Sequence, residues 1–409
     1  MKWPQVNIEE IRASIRHSLV GGPFGSDLTT RDYVEEGVPV IRGANLPDDF
    51  SFKDEDFVFV REEKADALIA NNAHPGDVIF TQRGTLGQVG LIPTESRFPR
   101  YLVSQSQMKL TVDPAKADAR FVFYFFRHPG TVQSIKNRAI TSGVPHINLG
   151  ILREFKLSLP PLDTQREIVA TLSAYDELIE NNRRRMGLLE EAARLLYREW
   201  FVRFRFLGHE HTRLIHGVPE GWERKRLADI AEVNSATLPS SYDGEIEYVD
   251  IASVVPGEIT ETTTFAFQDA PSRARRVVQH GDMIWSCVRP NRRSYAVIWR
   301  PADNLIVSTG FAVISPIGAP PTFVYFATTT DAFVGYLENH ARGAAYPAVV
   351  AADFERAEIL VPLKRLLEAF NDFAEPAFSQ IHNLWIQNQK LRAARDLLLP
   401  RLMSGEIAV

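Results

Sequence analysis

The 409-residue chain has a single cysteine, Cys287, so no disulfide can form within it. A lone thiol fits a reducing, intracellular compartment. In the apolar run around it, Cys287 reads as a small core residue. No apolar run approaches the ~18 residues that a membrane span needs, and the opening "MKWPQVNIEEIRAS" lacks the apolar core of a signal segment. A cytoplasmic location without a membrane partner is expected. Net positive charge is missing as well, since 46 Lys and Arg face 51 Asp and Glu, giving −5 at pH 7.

Catalytic signatures are also scarce. "GGPFGSDL" (Gly21 to Leu28) lacks the Lys-Ser/Thr ending of a phosphate loop and the spacing of a dinucleotide fingerprint, and reads as a tight turn. Pro47-Asp48 followed by Glu62 to Lys64 mimics the acids and lysine of a nuclease, but the pattern is loose and has no counterpart in the second half. His209, His211 and His216 lie in a polar stretch that reads as a linker, not a metal site. Neither Asn-Pro-Pro-Tyr nor Gly-x-Ser-x-Gly occurs. No active site, metal or cofactor of its own is expected.

What is present is an internal repeat. "HPGDVIFTQRGTLG" (His74 to Gly87) returns as "QHGDMIWSCVRPNRR" (Gln279 to Arg293). Further along, an offset of 202 residues joins Phe121 to Phe323, Val122 to Val324, Pro145 to Pro347, Pro160 to Pro362, Ile179 to Ile381, Leu189 to Leu391 and Leu196 to Leu398. Several matches in one order indicate a domain-sized duplication, far longer than solenoid repeats. With 45% apolar residues there is ample material for cores. The boundaries read as 1–160, 161–206, 207–362 and 363–409, each globular segment being followed by a long helix.

The helices announce themselves by period. After "LSLPPLDTQ", the residues Ile168, Leu172, Tyr175, Ile179, Asn182, Met186, Leu189, Ala193, Leu196 and Trp200 alternate steps of four and three, the seam of a coiled coil. Asp163 or Thr164 is placed to cap its start. Asp163 to about Arg205 contains no proline, enough for roughly 60 Å of helix. In the second copy Leu366, Phe370, Phe373, Ala377, Ile381, Leu384, Asn388, Leu391, Leu398 and Leu402 carry the stripe. Pro376 predicts a kink or a late start there, and Gly405 a stop. Each helix is the other's obvious partner, and antiparallel pairing would make a rod whose role is geometric.

The globular segments read as short strands of a mixed or antiparallel sheet, then one helix near Ala119 to Arg138 or Thr322 to His340, then a last strand, "FKLSLP" or "AEILVP". The class is α+β. Charge is unevenly spread. Glu35 to Asp66 holds ten acids and four bases, whereas Ala119 to Arg153 holds five bases and no acid, and Ala270 to Arg300 seven arginines and one acid. Local field, not net charge, is what a phosphate feels. Two hairpin tips sit in equivalent places, Arg83 to Gly87 and Arg289 to Ser294, and two further loops at Thr141 to His146 and Arg342 to Pro347. The frameworks agree and the tips differ, as expected of two readers of different targets. Arg, Asn, Ser and Thr are side chains that read base edges. The candidate DNA-binding residues are Arg83, Thr85, Arg138, Ser142 and His146 in the first copy, and Arg289, Asn291, Arg292, Arg293, Arg342 and Tyr346 in the second.

Over essentially its whole length the chain resembles the specificity subunit of type I restriction-modification systems. The matching stretches are "GPFGSDLTTRDYVEEGVPVIRGANL", "HPGDVIFTQRGTLGQVGLI", "ITSGVPHINLGILREFKLSLPPLDTQREIVATLSAYDELI" and "LRAARDLLLPRLMSGEI". The resemblance implies two target recognition domains, each reading half of a split site on double-stranded DNA. It also implies two long helices packed as an antiparallel coiled coil, with an internal pseudo-twofold repeat. Two methylation subunits carrying S-adenosylmethionine would dock on the helices, and translocating restriction subunits would complete the assembly. The second half departs from the family pattern, with "IEYVDIASV" in place of "VPVIRGANL" and nothing like "GPFGS". The rival reading is a self-contained enzyme that modifies or cuts DNA, separable by incubating the pure chain with DNA, Mg²⁺ and S-adenosylmethionine.

Overall fold

The structure is a computed structural model and describes residues 3–47, 50–141, 143–343 and 345–407. The chain divides into two compact units, Met1–Asn182 with Gln387–Val409, and Arg183–Ile386.

In place of the one sheet per copy expected from sequence, the first unit has two main sheets. One is antiparallel, in the order Leu19–Gly21, Gln107–Leu110, Val78–Thr81, Val89–Leu91. The other is mixed, in the order Tyr33–Val34, Val58–Val60, Val38–Ile41, Tyr101–Val103, Asn72–Ala73, with Val38–Ile41 and Tyr101–Val103 parallel. A two-stranded ribbon pairs Gln5–Asn7 with Lys156–Ser158. The second unit repeats this plan. Its antiparallel sheet runs Ala231–Val233, Phe311–Pro316, Met283–Ser286, Tyr295–Val297. Its mixed sheet runs Thr263–Ala266, Glu245–Val249, Leu305–Ser308, Ala274–Val277, again with one parallel pair. Its ribbon pairs Glu223–Arg226 with Glu358–Val361. The repeat read from scattered residue matches is thus a repeat of strand order and strand sense.

Side-chain alternation explains why the central strands are continuously apolar. Val78 and Phe80 enter the core shared with the helices, while Ile79 between them enters the core under the mixed sheet, beside Ile41, Tyr101 and Val103. In the second unit Met283 and Trp285 take the helix side, and Ile284 joins Val249, Leu305 and Val307. A strand covered on both faces needs apolar residues at every position.

Each helix expected after the sheets is in fact two. Ala119–Arg127 ends at His128, whose ring Nδ1 accepts from the Gly130 N–H at 3.0 Å, and Pro129 opens the next helix, Pro129–Asn137. A proline has no N–H to continue the first helix but suits the first turn of a new one. In the second unit Pro321–Thr328 and Asp331–His340 are separated without a proline. There the Thr330 hydroxyl caps the Phe333 N–H at 3.2 Å.

The first long helix, Leu162–Tyr197, passes directly into a wider π-helical stretch, Arg198–Val202. It begins ahead of Asp163 and Thr164, so neither is its cap; Asp163 lies in the first turn. The second, Lys364–Ser404, runs unbroken through Pro376 and ends before Gly405, which has φ +71°. The late start expected at Pro376 does not occur. The proline is exposed, and Phe370, Ala374 and Phe378 around it are buried in the core of the second unit. That packing outweighs one missing backbone hydrogen bond.

In the first unit Ile168, Val169 and Leu172 share a core with Leu399, Leu402 and Met403. Asp176 binds Arg395 at 2.6 Å, and the Asn182 amide donates to Asn388 Oδ1 at 2.9 Å. Rising numbers on one helix meet falling numbers on the other, so here the two segments are antiparallel. In the second unit the rings of Tyr197 and Phe201 pack on Phe370, with centroids 6.0 and 5.2 Å apart.

Candidate functional site

The repeated Gly-Asp that opens each hairpin is a turn. In His74-Pro75-Gly76-Asp77 the Asp77 N–H donates to the His74 carbonyl at 3.0 Å, Gly76 has φ +90°, and the Asp77 carboxylate accepts the His74 N–H at 2.9 Å. Gln279-His280-Gly281-Asp282 repeats this, with φ +88° at Gly281, 3.1 Å for the backbone bond and 2.8 Å from the Gln279 N–H to the carboxylate. Glycine supplies the left-handed third position of such a turn at no steric cost, and aspartate closes it. The motif that signals the repeat is therefore framework. Its two aspartates differ in surroundings. Asp77 meets Lys109 Nζ at 3.4 Å and accepts from Thr111 Oγ1 at 2.5 Å. Asp282 is buried without a lysine or arginine ion pair among the described residues, and burial pushes its carboxyl up against the opposing effects of the Gln279 N–H, Ser315 and His280.

At the far end of the first hairpin, Gly84 and Gly87 both take positive φ, and Leu86 between them is buried. A Cβ at Gly87 would lie 2.7 Å from the Val132 side chain, so the tip rests on the Pro129–Asn137 helix. Arg83 and Thr85 are exposed, and Arg83 makes no ion pair among the described residues.

The second tip is built differently. Arg289 and Arg293, with φ 51° and 54°, flank the short 3-10 turn Pro290–Arg292, and Pro290 is buried. Non-glycine residues occupy this region rarely and only where the surroundings hold them. Here the holders are visible. The Arg289 N–H donates to the Pro347 carbonyl at 2.7 Å and its guanidinium lies 4.7 Å from the centre of the Tyr346 ring. Arg293 pairs with Asp331, and that hydrogen bond holds the Asp331 carboxyl below the usual range. Asn291 and Arg292 are exposed, and Arg292 makes no ion pair among the described residues.

The structure brings the second loops to these tips in both units. Ile140 and His146 exchange backbone hydrogen bonds of 2.8 and 3.1 Å, as do Arg342 and Ala348 at 2.8 and 2.9 Å. Each closed loop is then tied to its hairpin, Ile147 N–H to the Gln82 carbonyl at 3.0 Å and Val349 N–H to the Cys287 carbonyl at 2.9 Å. Arg83 bridges His146, and Val288 bridges Ala348. The structural counterpart of Arg83 is thus Val288, not Arg289.

Tyr346 is 69% exposed, and Arg342 approaches the buried Asp353 at 4.0 Å. Arg138 sits at the entry to its loop with its guanidinium 4.8 Å from the Phe155 ring centre. Ser142 lies outside the described residues, as does Asp48 of the nuclease-like pattern. Glu62 and Lys64 of that pattern are spent on Arg100 and Asp32. No cluster of three potential metal ligands occurs among the described residues. No helix among them is long and apolar enough to cross a membrane. Cys287 is half-buried against the core, and burial pushes its thiol up to about 11.

Part of the basic composition is structural. Arg127 is half-buried with its guanidinium 5.3 Å from the Phe123 ring centre, and Arg275 lies 4.4 Å from that of Phe267. Sequence reading missed Asp331, which carries no motif and becomes relevant only through its pairing with Arg293.

The model of the type I restriction modification DNA specificity domain matches residues 32–191. The type I restriction enzyme MjaIX specificity subunit of Methanocaldococcus jannaschii is 24% identical over 82% of this chain and 78% of its own length. The HindI specificity subunit of Haemophilus influenzae is 21% identical over 81% of this chain and 86% of its own. The fold is similar to that of the type I restriction-modification S subunit from M. genitalium, with TM-score 0.56 and 18% identity over 98% of this chain and 96% of that one. Sequence likeness spread across both units joins the likeness of fold: residues 32–191 match the type I restriction modification DNA specificity domain, and the chain as a whole is similar to type I restriction enzyme specificity subunits.

Proposed function

We propose that each unit reads one half of a two-part, asymmetric site on double-stranded DNA through its hairpin tip and tied second loop. The observation that carries this reading is one framework built twice, holding equivalent loops of unlike residues. Arginine, asparagine, serine and threonine on such tips suit base edges and phosphates. The target recognition domains are residues 1–160 and 207–362, and the helical segments 161–206 and 363–409 are stretches of one antiparallel coiled coil that fixes the spacer. Two methylation subunits dock on the helices and bring S-adenosylmethionine and the chemistry, with restriction and translocase subunits completing the assembly. The chain itself reads and does not catalyse.

Replacing residues 1–160 with those of a relative of different specificity tests this. The methylated site in host DNA should change in one half and keep the other. A change in both halves, or in neither, overturns the reading.

A further inference from the structure

From Arg289 to Arg293 the second tip carries four polar side chains, Arg289, Asn291, Arg292 and Arg293, and the structure does not treat them alike. Two are engaged within the protein. Arg289 lies against the Tyr346 ring and donates to the Ala345 carbonyl at 3.4 Å. Arg293 gives its charge to Asp331 at the start of the Asp331–His340 helix. Both also take left-handed backbone conformations, which fix where the intervening turn points. Asn291 and Arg292 stand on that fixed turn, exposed, and Arg292 makes no ion pair among the described residues.

A guanidinium carried on a fixed turn must still order its own side chain on binding, but the backbone beneath it is already ordered. Its planar fork matches the O6 and N7 acceptors of guanine in the major groove, and a lysine there would match only as a point charge. We propose that Arg292 is the base-reading residue of the second unit, selecting a G·C pair in that unit's half-site, while Arg289 and Arg293 are positioning residues. This rests on the reading given above, that the hairpin tips face DNA. It deepens that reading by separating side chains that composition alone makes equivalent. The first tip has no such division, since Arg83 is its one charged residue.

The test uses the chain assembled with its methylation subunits and a pool of duplexes carrying randomised positions, with the bound fraction sequenced. Arg292→Lys keeps the charge and loses the fork; Arg292→Ala loses both. Both should relax preference at one base pair, in one half-site only, by about ten- to hundred-fold. Arg292→Lys should leave binding to unrelated duplexes at moderate salt within about twofold. Asp331→Asn removes the anchor of Arg293 and should relax preference at the same base pair, less than Arg292→Lys does; an unchanged motif would overturn the positioning role of Arg293. If both Arg292 variants select the unaltered motif, the assignment falls while the two-part reading stands. If a lysine serves as well as arginine while alanine weakens every sequence equally, Arg292 holds a phosphate and the assignment also falls. If the unsubstituted assembly selects no two-part motif, the reading beneath it falls too.

Discussion

At the scale of single residues, the two Gly-Asp turns show one role played in two electrostatic settings. Asp77 has a lysine beside it, whereas Asp282 has no lysine or arginine ion pair among the described residues, and the pull of His280 is outweighed by burial. A carboxyl whose folded value is raised binds its proton more tightly in the folded chain. Stability is therefore higher while it is protonated, declines as pH rises from about 3.9 through the raised value, and stays lower at neutral pH. Asp282→Asn keeps an acceptor for the Gln279 N–H without the charge. It should remove that decline and raise the unfolding midpoint at pH 7, measured by urea titration between pH 4 and 8; a lower midpoint at pH 7 would overturn the account. The turn was legible in the sequence because glycine and aspartate at that spacing admit few structures. Lys109 as a partner of Asp77, and Asp331 as a partner of Arg293, were not, because each pairing joins residues far apart in the chain with no local pattern to mark them.

At the scale of elements, period was the most legible signal. Ile168, Leu172, Ile179, Asn182, Ala193, Leu366, Phe370, Ala377, Leu384, Asn388 and Leu402 of the expected seams are buried. Phe373 is 46% exposed, and Tyr197 and Phe201 are buried more fully than the expected Leu196 and Trp200. A stripe of period 3.5 drifts round a straight helix of 3.6 residues per turn, so the buried position slips by one residue near an end. The proline rules told less. Pro129 starts a second helix within the stretch read as one, and Pro376 does not delay the start of its helix, because its neighbours are held by the core. The polar seam pair gives a direct test. Asn182 and Asn388 are 8% and 3% exposed and bonded to each other, and Asn388 also donates to the Ile179 carbonyl at 3.2 Å. Asn388→Leu leaves the Asn182 amide without its acceptor and should cost about 1–3 kcal/mol. Replacing both by leucine should recover most of that loss, or exceed the original stability, in chemical denaturation of the full chain. A double variant as weak as the single one would show that the pair acts through something other than mutual hydrogen bonding.

At the scale of the whole molecule, the proposed spacer role makes length the variable. One heptad added to both long helices, between Arg183 and Met186 and between Ile381 and Leu384, keeps the seams in phase and adds about 10 Å to each. The methylated site should keep both half-sites and widen by a few base pairs, read from methylation mapping; an unchanged spacing would assign that role elsewhere. The bonds from Ile147 to Gln82 and from Val349 to Cys287 bear on heredity as well as recognition. They join loops encoded far apart, so a genetic exchange with its breakpoint between hairpin and loop would unite halves never selected together. A crossover within the Leu162–Tyr197 helix would pass on a matched pair whole. New specificities in this lineage should therefore descend as intact cassettes bounded by helix, and mosaics broken inside a cassette should be the ones that natural populations discard.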